Sequence, residues 1–280
     1  MPHASPLHTV YLADARRMPE LGDESIHLVV TSPPYWCIKD YGSAGQIGRH
    51  QGYEEYLADL RRVLVECLRV LHRGCRAAVN IGDQYLRAKE HGRYRIQPIP
   101  AHLTGIGLEL GFDFMGSIIW RKISTTHPSG GCTLMGSIYY PRDGHITYEH
   151  EYILLFRKPG RPPAVSAEAK ERSRLTLEQR STWFRGVWDD IAPVRRGEHE
   201  AMFPVELPRR LIRMYSCWGE TVLDPFLGSG TTCEAAAATG RSSVGYEINP
   251  EFEALIRSRV AAEFVRREER VPVDSDPRGS

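Results

Sequence analysis

The chain has 280 residues, with 36 Lys or Arg against 35 Asp or Glu and a formal net charge of +1. Hydrophobic residues make up 41% and charged residues 25%, which suits a globular chain able to bury a substantial core and argues against a disordered or a globally basic protein. Any basic surface must therefore come from uneven placement of charge along the chain.

The N-terminal "MPHASPLHTVYLADARRMPEL" lacks the charged lead and long apolar core of a secretory signal. No apolar run reaches bilayer length. "HTVYLADA" and "SIHLVVTSPP" read as two short buried strands, each ending in a polar or turn cluster. "GYEEYLADLRRVLVECLRVLHRG" carries apolar residues at i, i+3 and i+4 spacing, so it predicts an amphipathic helix stopped by Gly74. "CRAAVNIGD", the end of "TGIGLELGFDFMGSIIWRK" and "HEYILLFRK" predict further strands. Alternating strands and helices favour an α/β fold with a largely parallel sheet.

Residues 121–147 break that alternation. A Gly-, Ser-, Tyr- and Arg-rich loop of this length is usually functional or disordered. Residues 84–96 hold Arg87, Lys89, Arg93 and Arg95, a basic cluster. Residues 157–197 carry ten Lys or Arg against five Asp or Glu, and read either as a solvated linker or as a nucleic-acid-facing surface. "FPVELPRRLIRMYSCWGE" predicts a helix, "TVLDPF" a strand, "TTCEAAAATG" a helix, "SSVGYEI" a strand and "NPEFEALIRSRVAAEFVRREER" a last amphipathic helix. The tail 266–280 reads as disordered. The six cysteines, Cys37, Cys67, Cys75, Cys132, Cys217 and Cys233, form no C-x-x-C pair. They read as reduced thiols of a cytoplasmic protein, and no metal site is expected.

Two motifs carry chemistry. "DPFLGSGTT" is a strand end, a tight glycine turn and a helix start. Gly228 and Gly230 permit positive φ and close backbone approach, and Thr231 or Thr232 is placed to cap the helix. Free N–H groups at that helix start favour an anionic group. Glu247 follows Asp224 by 23 positions, where nucleotide-binding α/β folds hold ribose hydroxyls. The turn matches neither a P-loop nor G-x-G-x-x-G, since position 233 is Cys.

The second motif is "TSPPYW", residues 31–36. Pro33 and Pro34 fix φ and offer no N–H. The corner therefore presents carbonyls and the Ser32 hydroxyl at a strand's carboxyl end, under the rings of Tyr35 and Trp36. Such an acceptor-rich notch suits a planar group bearing an NH₂, as in a flipped base. Hydrogen bonds from the amine to Ser32 Oγ and a backbone carbonyl would localise its lone pair for attack. The bland alternative is an ordinary strand-ending turn with core aromatics.

"TSPPYW" followed by "DPFLGSGTT" resembles the S-adenosylmethionine-dependent DNA amino-methyltransferases, with the motifs in the circularly permuted β-type order. The resemblance covers most of residues 8–262. It implies a seven-stranded, mostly parallel Rossmann-like sheet with helices on both faces and a small target-recognition insert. The catalytic half spans about 8–158, the insert about 121–147, a basic linker about 157–197 and the cofactor half about 199–265, all within one catalytic domain over 1–265.

S-adenosylmethionine is the implied cofactor. It would be bound by Asp14 at the adenine, by Thr31, by Phe203 and Pro204 of "HEAMFPVELPRRLI", by Asp224, Pro225, Phe226, Gly228, Ser229, Gly230 and Thr231, and by Glu247 at the ribose. Ser32, Pro33, Pro34 and Tyr35 form the implied catalytic corner. Arg121, Lys122, His127 and Arg142 are candidates to contact DNA bases or phosphates. The resemblance implies direct methyl transfer with no covalent enzyme–base intermediate. C5-cytosine methylation is disfavoured because its Pro-Cys dipeptide is here Pro-Pro, and Cys37 reads as structural or as a bystander. Ser at position 32 resembles the N4-cytosine subset, with N6-adenine methylation the alternative. Double-stranded DNA is the expected partner, with a cognate restriction endonuclease and a homodimer also considered. A binding module without catalysis and methylation of RNA or a free metabolite are the other classes weighed.

Overall fold

The structure is a computed structural model that describes residues 5–37, 40, 42–43, 45–122, 135–136, 139–146, 148–193 and 204–266. Nine strands form its main sheet. They are β1 His8–Leu12, β2 Ile26–Thr31, β3 Leu71–Ile81, β4 Asp113–Arg121, β5 His150–Arg157, β6 Val187–Trp188, β7 Thr221–Asp224, β8 Ser242–Glu247 and β9 Glu263–Arg266. Their order is β6-β4-β5-β3-β2-β7-β8-β1-β9. Only β5 runs antiparallel to its neighbours, β3 and β4. The seven expected strands are present, and the short β6 and β9 extend the two edges.

Five helices cover the sheet: α1 Tyr53–Val70, α2 Ile99–Glu109, α3 Glu206–Tyr215, α4 Thr231–Ala238 and α5 Glu253–Arg259. Alternation along the strands decides which residues meet them. Val29, Ala77 and Val79 pack on one face with Tyr56, Leu60 and Cys67 of α1 and Leu103 of α2. Leu28, Val30, Ala78 and Val222 pack on the other with Leu207 and Leu211 of α3 and Ala235 of α4. No described helix is long and apolar enough to cross a membrane.

From β2 the chain proceeds to β3 on one side. From β7 it proceeds to β8 on the other. The carboxyl ends of β2 and β7 are thus adjacent at a topological switch point, where open α/β sheets bind ligands.

Three local expectations need correction. α1 ends at Val70 and passes directly into β3, so Gly74 does not stop it. Gly74 instead lies within the strand at φ +74, where a Cβ would meet Pro162 N at 2.4 Å. The final helix is only seven residues long, and the "EFVR" that follows pairs with β1 as β9. Residues 157–193 are not a loose linker. Helices Ala167–Arg172 and Leu177–Trp183 form there, and the buried Trp188 adds β6 to the sheet edge. Several of the region's cations are used internally, as in Arg172 with Glu168, Arg174 with Glu171 and Arg180 over the Phe184 ring. The insert proposed for 121–147 and the tail fall mostly outside the described residues.

Two glycines on α2 test the packing. A Cβ on Gly105 meets nothing within 4 Å, whereas one on Gly107 falls 2.5 Å from the Phe156 ring. Gly105→Ala should raise stability by about 1 kcal/mol through helix propensity. Gly107→Ala should lower it by about 1–3 kcal/mol through overpacking. Urea unfolding of the two variants measures both, and equal shifts would contradict this packing.

Candidate active site

The switch point is closed by one buried carboxylate. Asp224, at the end of β7, is 1% exposed. Its Oδ1 accepts from Thr31 Oγ1 at 2.7 Å and from Phe226 N at 3.0 Å. Its Oδ2 accepts from Thr232 Oγ1 at 2.6 Å. Asp224 therefore ties the Thr31–Tyr35 corner, the glycine turn and the start of α4 together. Thr232 is engaged here and does not cap α4. The N-cap is Gly230, with no side-chain cap bond.

The glycine turn follows. Gly228 and Gly230 stand at φ +53 and +87, which L side chains rarely adopt. A Cβ on Gly228 would meet no atom within 4 Å, so its outer side is open. Ser229 and Thr231 are buried, and their hydroxyls lie 3.1 Å apart. Glu247, at the end of β8, accepts from Gly228 N at 2.7 Å and from Asn249 N at 2.8 Å. Burial pushes its carboxyl above the ordinary range, against the pull of those N–H groups. The Ile248 N–H also reaches this carboxylate, and of its roughly four acceptor positions about one stays open to a ligand's hydroxyl.

Asp14 lies beyond β1, whose Leu12 pairs with Glu247, so both acids share one edge. Arg16 folds back on Asp14, with Nε to Oδ2 at 2.8 Å, and its Nη1 reaches Asp59 at 2.5 Å. Pro204 precedes α3 and accepts from Leu207 N. Phe203 lies outside the described residues. Pro225 and Phe226 line the apolar space between the turn and α1, with Pro33, Leu60 and Leu64.

On the other side of Asp224 is the proline corner. The Pro34 carbonyl accepts from Tyr56 OH at 2.9 Å. Among the described residues, nothing hydrogen-bonds the Ser32 hydroxyl or the Pro33 carbonyl. The half-buried Tyr35 ring lies over Gly82, where a Cβ would meet Tyr35 Cε2 at 3.7 Å and Glu151 Cγ at 3.2 Å. Trp36 does not roof the notch. It is 8% exposed, donates to Gln51 O and packs edge-on against Tyr53. Cys37 accepts from Gln84 Nε2 at 3.0 Å. Burial pushes the Cys67 and Cys233 thiols up to about 12, so both remain inert.

Sequence reasoning missed the polar wall beside this corner. Asn80 Nδ2 donates to Glu151 Oε2 at 2.7 Å, and Lys122 Nζ to Glu151 Oε1 at 2.5 Å. The signal was a single acid opening the apolar run "EYILLF" and a lone Asn in "AAVNI". Lys122 is thus ion-paired with a buried acid, and Arg121 lies 3.5 Å from Glu149. Arg142 is exposed on a short 3₁₀ turn. His127 lies outside the described residues.

The N6/N4 DNA methylase family profile matches residues 26–258. The chain belongs to this family. Its expected α/β architecture and cofactor class agree, for S-adenosylmethionine is the methyl donor of these enzymes. The Type II methyltransferase M.MthZI of Methanothermobacter thermautotrophicus is 37% identical, over 90% of this chain and 76% of its own. M.MjaI of Methanocaldococcus jannaschii is 35% identical, over 90% of this chain and 91% of its own. TTHA0409 of Thermus thermophilus, solved in complex with S-adenosyl-L-methionine, is 36% identical at a TM-score of 0.76, covering 93% of this chain and 98% of its own. The cytosine-N4-specific PvuII DNA methyltransferase shares the fold, with a TM-score of 0.65 at 21% identity over 92% of this chain and 89% of its own.

Burial pushes the Asp224 carboxyl from its ordinary 3.8 up to about 6, with the two threonine hydroxyls and Phe226 N–H pulling the other way. The folded chain thus holds this proton more tightly than the unfolded chain. The resulting stability is complete below about pH 4 and is lost as pH rises through 6. Asp224→Asn keeps the shape and cannot ionise. Wild type should lose stability relative to this variant between pH 4 and 7, read from urea midpoints. A constant difference across that range would refute the shift.

Proposed function

We propose that this chain methylates the exocyclic N4 of cytosine in duplex DNA, using S-adenosylmethionine and a flipped target base. The observation that carries the reading is the contact between two sequence-distant corners. The Ser32–Pro33 acceptors and the Gly228–Thr231 turn are held side by side by Asp224.

The residues at the turn fit the cofactor. The open side of Gly228 admits a ligand against the backbone, and the N–H groups at the start of α4 suit its carboxylate. Glu247 would accept from a ribose hydroxyl and Asp14 from the adenine amine. Phe203 and Pro204 would close the pocket. When bound, S-adenosylmethionine supplies an electrophilic methyl group on a sulfonium.

The chain's own work is to bind and orient the amine. An exocyclic amine is a poor nucleophile because its lone pair is delocalised into the ring. Ser32 Oγ and the Pro33 carbonyl accept its two hydrogens, since the Pro34 carbonyl is taken by Tyr56. Held from both hydrogens, the nitrogen directs its lone pair at the methyl group. Tyr35 supplies the face on which the base stacks. With the cofactor held at the turn, the C–S bond would give way to the new C–N bond, and the amine's surplus proton would leave to solvent. No thiol takes part, which agrees with the inert buried cysteines.

Cytosine is chosen over adenine because Ser occupies position 32, as in the N4-cytosine subset that the motif resembles. Sequence readout is assigned to the insert at 121–147. Relatives that are Type II methyltransferases support a cognate restriction endonuclease as a partner.

The test is chemical. Purified chain, duplex DNA and labelled S-adenosylmethionine are incubated, and the DNA is digested to nucleosides for mass spectrometry. N4-methylcytosine is expected. N6-methyladenine would overturn the base assignment, and 5-methylcytosine would overturn the mechanism. Ser32→Ala should lower turnover by at least about 100-fold, the scale of a lost positioned acceptor, while calorimetric affinity for S-adenosylmethionine is retained. Wild-type turnover would remove Ser32 from the chemistry.

A further inference from the structure

A short hairpin outside the insert at 121–147 reaches past the catalytic edge of the sheet. β3 ends at Ile81 beside the proline corner, and the chain then forms an antiparallel hairpin, Gln84–Leu86 with Arg95–Gln97. Its root is fixed. Gln84 and Leu86 are 3% and 1% exposed, Gln84 donates to Cys37, and His91 packs on Trp36 at 5.9 Å between ring centroids. Its tip projects. Arg87, Lys89, Arg93, Tyr94 and Arg95 are all exposed, and Tyr94 is 55% accessible. Over residues 87–95 four Lys or Arg face one acid, Glu90.

These cations differ from most others on the surface. Arg49, Arg61, Arg62, Arg73, Arg172 and Arg257 each have a carboxylate partner within 4 Å. Among the described residues, none of Arg87, Lys89, Arg93 and Arg95 forms an ion pair. Four like charges on one short tip repel each other, and the single acid among them, Glu90, forms an ion pair with none of them. A polyanion would relieve that repulsion.

The tip also has a fixed orientation. Tyr94 lies 5.8 Å from Tyr85 and 5.3 Å from His145, between ring centroids, and Tyr85 lies 6.0 Å from His145. His145 belongs to a second small hairpin, Met135–Gly136 with Gly144–His145, inside the insert. Three rings thus join the two hairpins into one wall along the edge that carries Ser32 and Tyr35.

We infer that the 84–97 hairpin is a second DNA-binding arm, gripping backbone phosphates beside the flipped base while the insert reads sequence. This rests on the proposed function and adds a separate surface to it. Phosphate contacts carry no sequence information but set register and affinity. The arm should therefore govern salt-dependent affinity and leave the identity of the methylated site to the insert.

The experiment measures binding of a labelled mixed-sequence duplex by anisotropy across a salt series. The variants are Arg93→Gln/Arg95→Gln and Arg87→Gln/Lys89→Gln, with Arg61→Gln/Arg257→Gln as the control. Each lost phosphate contact lowers the slope of log affinity against log salt by about 0.9, so each arm pair should lower it by about 2 and weaken binding roughly 60-fold at 0.1 M salt. The control pair should keep the wild-type slope. S-adenosylmethionine affinity and melting temperature should be unchanged in all three. A wild-type slope in both arm pairs, while wild type still methylates DNA, overturns the arm and leaves the methyltransferase reading intact. Loss of cofactor binding or of melting temperature in the arm pairs makes the role structural and also overturns it. A wild-type chain that neither binds nor methylates duplex DNA overturns both.

Discussion

A carboxylate buried where β2 meets β7 sets the geometry of everything around it. Asp224 takes hydrogen bonds from Thr31, Phe226 and Thr232, which lie in three separate segments. Burying an acid costs free energy, and here hydrogen bonds offset part of that cost. In return the acceptor corner and the glycine turn are placed together, although about 190 residues separate them. Glu247 repeats the device one strand over, binding Gly228 N from the end of β8. The two acids hold the turn from both sides without occupying its open face. The turn is thereby shaped in advance of any ligand, which lowers the cost of ordering it on binding.

The sheet's other half is organised by charges paired with each other. Glu151 is buried between Asn80 and Lys122 next to Tyr35. Arg210, 7% exposed, grips Asp190 and Glu206 and holds residues 183–191 against α3. With so many cations committed internally, a near-neutral chain can still present a local basic surface. The net charge of +1 therefore says little about affinity for a polyanion. What matters is which arginines the fold leaves without a carboxylate.

Much of this was legible in the sequence because both motifs combine special backbone with special chemistry. Pro33-Pro34 and Gly228-x-Gly230 mark strand ends, and strand ends of a parallel sheet share one edge. The core strands were legible from their continuous apolar runs. The role of Asp224 was not, since an Asp before Pro reads as a local turn former, which its bond from Phe226 N fits, and gives no hint of the Thr31 hydroxyl arriving from the other half of the chain. Trp36 was misplaced because an aromatic after Tyr35 looks like part of the same face, whereas the turn sends its ring into the core. The 157–193 region was misread from its charge. Its Thr176-x-x-Gln179 capping box and its tryptophans pointed to packed helices, but composition outweighed those local cues. The last helix was overextended because "AAEFVRREER" fits helical and strand periodicities alike, and pairing with β1 decided between them.

The central claim is that these corners align a methyl group with an amine gripped at Ser32. A crystal structure of the chain with S-adenosylmethionine and a target duplex tests it most directly. The account predicts a flipped base on Tyr35, its amine on Ser32 Oγ and the Pro33 carbonyl, and the methyl carbon about 3–3.5 Å from that nitrogen. A base still stacked in the duplex, or an extruded base whose amine lies away from Ser32, would contradict it.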